Sequence, residues 1–83
     1  MKESFETIYP YLHLYLCYQG YIEIGGDEHS DSWVRVLDEG GMRIECDKDS
    51  LGASLLEAEA WAAKWMSDCY ESAVIEAGLE VKS

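Results

Sequence analysis

The feature that most constrains the fold is a long stretch rich in alanine, leucine and glutamate, at residues 51–77. Ser50 stands before it in the position of a helix N-cap, and Gly78 follows it as a helix stop. Apolar residues recur along it every three or four positions, which is the period of an amphipathic helix. The sequence therefore predicts one long helix that must bury its apolar face.

The apolar arc of this predicted helix has two parts. Its core stripe consists of Leu51, Leu55, Ala58, Ala62, Trp65, Met66, Cys69 and Ala73. A second group widens the arc to about twice what packing on one sheet requires, so either the N-terminal segment or a second copy of the chain must cover the surplus. The residues that we expect at such a homodimer or other second interface are Leu56, Trp61, Tyr70 and Val74.

Alternating apolar and polar residues before the helix predict β-strands at 21–24, 33–37 and 42–47. Val34 and Val36 should face the core, and residues 38–41, which include two glycines, should form the turn between the last two strands. Residues 25–32 are a loop by composition.

Residues 11–18 also alternate and are rich in aromatic side chains, which predicts a first strand. Gln19 and Gly20 would then make a two-residue hairpin turn. The alternative is a short N-terminal helix that opens at Ser4 and that Pro10 would end. The sequence does not decide between these two interpretations.

The expected fold is α+β: an antiparallel sheet of three to four strands followed by one long amphipathic helix packed on one face. With 83 residues, the chain should form a single domain over residues 1–83. Three cysteines at wide spacing, Cys17, Cys46 and Cys69, are typical of free thiols in a reducing cytoplasm. The N-terminus does not resemble a signal peptide, and no apolar run is long enough to span a membrane, so we expect a soluble cytoplasmic protein.

The charge of the chain indicates its class of partner. Seventeen acidic residues against six basic ones give a formal net charge of −11, yet 48% of the residues are hydrophobic, so the acidity belongs to a chain that can fold. Such a domain repels DNA and RNA and attracts basic protein surfaces. We expect a basic, nucleic-acid-binding protein as the partner, and neither direct nucleic-acid binding nor a membrane.

Acidic residues concentrate between residues 27 and 49, in predicted loops and outward strand positions. They could serve solubility alone. They could also imitate phosphates and occupy the basic groove of a nucleic-acid-binding protein, with an exposed Trp33 as the apolar anchor. The residues predicted for this contact are Asp27, Glu28, Asp31, Trp33, Asp38, Glu39, Glu45 and Asp47.

Patterns for catalysis or metal binding are weak. His29 lies among acids, but the spacing lacks the alternating ligands of a calcium loop. His13, Cys17 and Cys46 do not form a zinc motif, and no third group or oxyanion glycine accompanies a Cys–His pair. We therefore expect no catalytic residues, no metal and no cofactor.

Three resemblances accompany these patterns. Residues 21–42, from Tyr21-Ile22-Glu23-Ile24 to Asp38-Glu39-Gly40-Gly41-Met42, resemble a pattern in small bacterial proteins and imply no activity. The order of strands and then a helix opened by Ser50 is similar to HicB-type antitoxins, whose small acidic domains cap an RNA-cleaving toxin. In size and acidity the chain is similar to small phage-encoded inhibitors, including anti-CRISPR proteins that mimic nucleic acid.

Together these observations predict a non-catalytic acidic interaction module, of the kind that a phage or mobile element uses as an inhibitor, which blocks a basic nucleic-acid-binding surface. The alternative is an antitoxin-like or regulatory subunit that binds its partner through the apolar helix face.

Overall fold

The fold is known from a computed structural model, which describes residues 4–18, 20–25 and 32–82. The elements follow in the order α1 (Phe5–Ile8), α2 (Pro10–Tyr18), β1 (Gly20–Ile24), β2 (Val34–Asp38), β3 (Gly41–Cys46), α3 (Leu51–Cys69) and α4 (Glu71–Glu76). The strands form one antiparallel sheet in the order β1-β2-β3. The expected α+β fold, with an antiparallel sheet followed by a long helix, is confirmed.

The predicted strand at residues 11–18 is wrong, because this segment is helix α2. Its buried residues, Tyr11, Leu12 and Tyr15, follow a helical spacing. The carboxylate of Glu59 on α3 accepts hydrogen bonds from the backbone N–H groups of Tyr11 (3.1 Å) and Leu12 (2.8 Å). This cap comes from a residue far along the chain and satisfies donors that every helix start leaves open.

The alternative N-terminal helix is correct in part. Ser4 caps α1 by accepting a hydrogen bond from the Thr7 N–H at 3.2 Å, and α1 ends at Ile8, before the proline. Pro10 also begins α2, at the first helical position, where its missing N–H costs nothing. Gln19 lies outside the described residues. Among the described residues, the element before β1 is helix α2, so β1 does not follow a strand as the predicted hairpin requires.

The three later strands lie within a residue or two of their predicted positions. Val34 and Val36 are fully buried under the helices, as expected. On β3 the alternation of buried and exposed side chains is less regular: Cys46 is buried, whereas Met42 is exposed. The pairing with β2 shifts between Val36 and Leu37, and this irregularity falls at the exposed end of β3.

The predicted helix at 51–77 begins at Leu51, where the Ser50 hydroxyl accepts a hydrogen bond from the Ala53 N–H at 3.1 Å. It is interrupted at Tyr70, which leaves helical geometry and separates α3 from α4. The Tyr70 ring stacks on Tyr18 of α2 and contacts Trp65, so tertiary packing of this ring accompanies the break. Gly78 has a φ of +77° just after α4, as expected of a helix stop.

The N-terminal segment covers part of the wide apolar arc of α3, which was one of the two expected solutions. Helix α2 packs along one side of α3 and over β1. Within the predicted core stripe, Ala58, Ala62, Met66 and Ala73 are buried, whereas Leu51 and Cys69 are exposed. Residues 79–82 form no strand; the Lys82 N–H donates to Ser67 Oγ at 2.7 Å and holds this tail against α3.

Candidate functional site

The predicted acidic contact is only partly assembled as expected. Asp27, Glu28 and Asp31 lie outside the described residues, as does His29. Glu39, Glu45 and Asp47 are exposed along or beside β3. Trp33 is 40% exposed. Its backbone N–H donates to the Cys46 carbonyl at 3.0 Å, which places Trp33 at the Cys46 end of β3. We call the surface formed by Glu39, Glu45, Asp47, Asp49 and Trp33 the acidic edge.

Asp38 is a correction to the predicted contact, because its side chain is buried at 6% exposure and not directed outward. Its Oδ2 accepts a hydrogen bond from Arg43 Nε at 2.6 Å, and its Oδ1 accepts one from the Gly40 N–H at 2.8 Å. The hydrogen bond from Arg43 is the main cause that lowers the pKa of Asp38. Asp38 therefore holds the β2–β3 turn and is not available to a partner.

The face of the sheet opposite the helices carries a cross-strand row of charge. Glu23, Arg35 and Glu45 are register partners on the three strands. Arg35 donates to Glu23 Oε1 at 3.1 Å and to the Gly25 carbonyl at 2.8 Å, and the Ser32 hydroxyl donates to Glu45 Oε2 at 3.0 Å. Part of the acidity on this face is thus engaged within the sheet.

A groove of about 520 Å³ lies on the helical side of the sheet, between α3 and β3. The residues that line it are Ile44, Glu57, Ala60, Trp61, Lys64, Trp65 and Asp68. Trp61 and Trp65 stack with ring centroids 5.6 Å apart, and Tyr15 from α2 meets both rings edge-on at 5.2 and 5.3 Å. The buried Tyr15 ring therefore supports the two half-buried tryptophan rings from the core side. We call the surface formed by the lining residues the aromatic groove.

The charged residues of the aromatic groove are mostly acidic. Glu57 Oε2 lies 3.1 Å from Lys48 Nζ, and this contact raises the pKa of Lys48. Asp68 and Lys64 are exposed at the other end. A ligand in the groove would meet an apolar floor with a carboxylate and a lysine at each end.

The residues predicted for a second interface divide between surface and core. Trp61 lines the aromatic groove, Leu56 is 60% exposed on the outer side of α3, and Tyr70 is half-buried against Tyr18. Val74 is a correction: it lies on α4, after the break at Tyr70, and is fully buried in the core. It cannot contact a partner.

The groove residues that sequence reasoning missed are Ile44, Glu57, Ala60, Lys64, Trp65 and Asp68. A helical spacing of three or four from 57 to 68 does place the six α3 groove positions on one side of that helix. That this side borders β3 depends on how α3 crosses the sheet, which no spacing reveals.

The cysteines offer little chemistry among the described residues. Burial raises the pKa of Cys46 to about 12, and the neighbouring Glu57 carboxylate adds to the effect, so its thiol is not a nucleophile at neutral pH. Cys17 Sγ lies 4.0 Å from His13 Nδ1 on the exposed side of α2. Within the described ranges, no three His, Cys, Asp or Glu side chains are close enough to hold a metal ion.

No helix among the described residues combines the length and apolarity needed to cross a bilayer. Comparisons of the chain with protein-family models, with curated proteins and with solved structures give no match.

Proposed function

We propose that this protein is a non-catalytic acidic interaction module that acts in the cytoplasm and binds the basic, nucleic-acid-binding surface of another protein. The observation that carries the proposal is the acidic edge: Glu45, Asp47 and Asp49 are exposed at the end of β3 near a half-exposed Trp33, and Glu39 is exposed in the turn at the other end of β3. Carboxylates held along a strand and just beyond its two ends can meet lysine and arginine side chains that otherwise contact phosphates. An aromatic ring beside them adds an apolar contact that charges alone do not supply.

By blocking such a surface the protein would act as an inhibitor, of the anti-CRISPR-like kind that phages and mobile elements encode. The net charge of −11 supports this role, because it attracts a basic partner over long distances and repels the nucleic acid itself. The burial of Asp38 removes that residue from the proposed contact.

The second candidate is an antitoxin-like or regulatory subunit that binds through the helix face. The observation that favours it is the aromatic groove, which leaves Trp61 and Trp65 half-exposed where α2 does not cover α3. Exposed apolar surface of this kind is typical of interfaces.

The two candidates differ in which variants abolish binding. We would use the tagged protein, the double variant Glu39→Lys/Asp47→Lys and the groove variant Ala60→Arg to capture proteins from a bacterial lysate at about 0.1 M and then about 1 M NaCl. Screening shortens the reach of charge from about 10 Å to about 3 Å over this range. The first candidate predicts a nucleic-acid-binding protein that salt elutes, that added DNA or RNA displaces, and that the double variant does not capture.

A partner that stays bound at high salt, is captured by the double variant and is lost with Ala60→Arg would contradict the first candidate and favour the second. Ser72→Arg is the matched control, because Ser72 is exposed on α4 and the substitution adds the same charge away from both surfaces. Circular dichroism of each variant establishes that the fold is retained.

A further inference from the structure

The aromatic groove lies next to a free strand edge. In the described part of the chain, β3 pairs with no strand other than β2, so its outer backbone groups have no strand partner. Cys46 is fully buried and its carbonyl accepts from the backbone N–H of Trp33, so the exposed part of this edge ends at Glu45. The stretch from Ile44 to Cys46 lies beyond the pairing irregularity, keeps regular register with β2, and contributes Ile44 to the groove. Edge and groove are thus parts of one surface.

This arrangement suits an extended chain better than a helix or a small molecule. A strand added to β3 would satisfy the open backbone groups, and every second side chain would then point to the helical side of the sheet. There it would reach the stacked rings of Trp61 and Trp65. The volume of about 520 Å³ lies within the range of pockets that enclose a ligand group.

Charge indicates which chain would fit. In the groove, Lys48 pairs with Glu57, and Lys64 lines the groove together with Asp68, so these charges balance. The excess of negative charge comes from Glu45, Asp47 and Asp49, which are exposed along or just beyond the same strand. A second copy of this protein would bring the same carboxylates and a further formal charge of −11 to the contact. A segment rich in lysine or arginine would instead be attracted.

We propose that the aromatic groove binds an extended basic segment of a partner protein, which pairs with β3 as an added strand and inserts an apolar side chain against Trp61 and Trp65. This inference rests on the proposed function as a binder of basic proteins, and it names the site and the form of the partner. Main-chain hydrogen bonds supply affinity, and the groove selects the side chain.

The test uses the full chain and a synthetic probe, the blocked peptide Lys-Val-Lys-Phe-Lys-Val-Lys, titrated at about 0.15 M NaCl by calorimetry and by amide NMR shifts. We expect chemical-shift changes at Ile44–Cys46 and slowed exchange of the Glu45 amide, because N–H groups alternate in direction along a strand and the Cys46 carbonyl faces the β2 side. Ala60→Arg fills the groove and repels the lysines of the peptide, so it should weaken binding at least about tenfold. Ser72→Arg should leave the affinity within about twofold of the wild-type value.

Two peptide controls separate strand addition from charge attraction. A peptide of the same composition with its lysines in one block should bind at least about tenfold more weakly, because it cannot place an apolar side chain at alternate positions. N-methylation of alternate residues should abolish binding in one register and spare it in the other, since only every second N–H faces β3.

Several results would overturn the inference. The first is binding of the original peptide by Ala60→Arg as tight as by the wild type. The second and third are equally tight binding of the peptide whose lysines stand in one block, and binding of the peptide N-methylated in either register. The fourth is amide shifts confined to Tyr21 and Met42 on the opposite face of the sheet. Sedimentation that shows a dimer dissociated by Ala60→Arg would assign the groove to a second copy. If Ala60→Arg still captures a salt-sensitive nucleic-acid-binding protein from lysate, the proposed function stands and this inference alone fails.

Discussion

At the scale of single residues, the same side-chain type has opposite roles according to where the chain places it. Asp38 and Glu39 are adjacent acids in a predicted turn. The structure buries Asp38 against Arg43 and leaves Glu39 exposed. A count of carboxylates in a segment therefore overstates the surface charge available to a partner.

Replacing Asp38 with Asn should destabilise the protein at neutral pH, because Asn can still accept from the Gly40 N–H but loses the charged contact with Arg43. The pKa of Asp38 is lowered in the folded protein, so its contribution is present above the unfolded value of about 3.9 and is lost as the pH falls through the folded value. Urea unfolding of both proteins should show a stability gap at pH 7 that closes below about pH 4.

The matched control for this experiment is Glu39→Gln, which removes an exposed carboxylate from the next position and should leave stability nearly unchanged. A gap between wild type and Asp38→Asn that persists unchanged at the lowest pH would show that the charge of Asp38 is not what stabilises the turn.

At the scale of elements, the junction of α2 and β1 depends on the absence of a side chain at Gly20. A Cβ at this position would lie 2.2 Å from the Leu37 carbonyl oxygen and 2.5 Å from the Tyr15 hydroxyl. These two groups are themselves hydrogen-bonded at 2.8 Å, so neither can move without loss of that contact. Gly20 was expected in a hairpin turn, and its actual role is close approach between helix and sheet.

Gly20→Ala should therefore lower the free energy of unfolding by about 1–3 kcal/mol, the usual cost of overpacking. Gly52→Ala is the matched control, because Gly52 is helical and exposed and an added Cβ there has only ordinary contacts. It should raise stability by about 0.5–1 kcal/mol. Urea titrations of the two variants should differ in sign, and equal effects would contradict the role assigned to Gly20.

The elements that could be predicted from the sequence are those with local determinants. Ser50 caps α3 through its own hydroxyl, and the later strands have alternating patterns next to turn residues. The sequence leaves residues 11–18 undecided between strand and helix, because apolar side chains fill both sides of helix α2 and its cap, Glu59, is distant in sequence. The break at Tyr70 and the aromatic groove likewise depend on packing between elements that local spacing does not encode.

At the scale of the whole molecule, the excess of negative charge is spread over a small volume. The radius of gyration is 12.8 Å, which is shorter than the distance of about 30 Å over which charges act at 0.01 M salt. Repulsion between carboxylates then extends across most of the molecule. At about 0.15 M salt the distance falls to about 8 Å, and most of this repulsion is screened.

Two effects of salt on stability compete. Screening weakens surface ion pairs such as Lys48–Glu57 and Lys82–Glu80, but pairs of this kind contribute only about 0–1 kcal/mol each. Screening also relieves the repulsion that a net charge of −11 imposes on the compact state. Because acids outnumber bases by 17 to 6, relief of repulsion should dominate.

We therefore expect the urea midpoint at pH 7 to rise when NaCl is raised from about 0.01 M to about 0.3 M. Glu76 is exposed in the last turn of α4, where it can be varied without disturbing either candidate surface. Glu76→Lys moves the formal net charge from −11 to −9, because one negative charge is lost and one positive charge is gained, and the response to salt should be smaller. Glu76→Gln should fall between the two, so the slope of the urea midpoint against salt orders the three proteins by net charge.

A urea midpoint that falls with salt, or a slope unaffected by the charge at residue 76, would instead mean that specific ion pairs outweigh the repulsion. The carboxylates of the acidic edge would then be engaged in ion pairs within the protein, and fewer of them would be available to a basic partner.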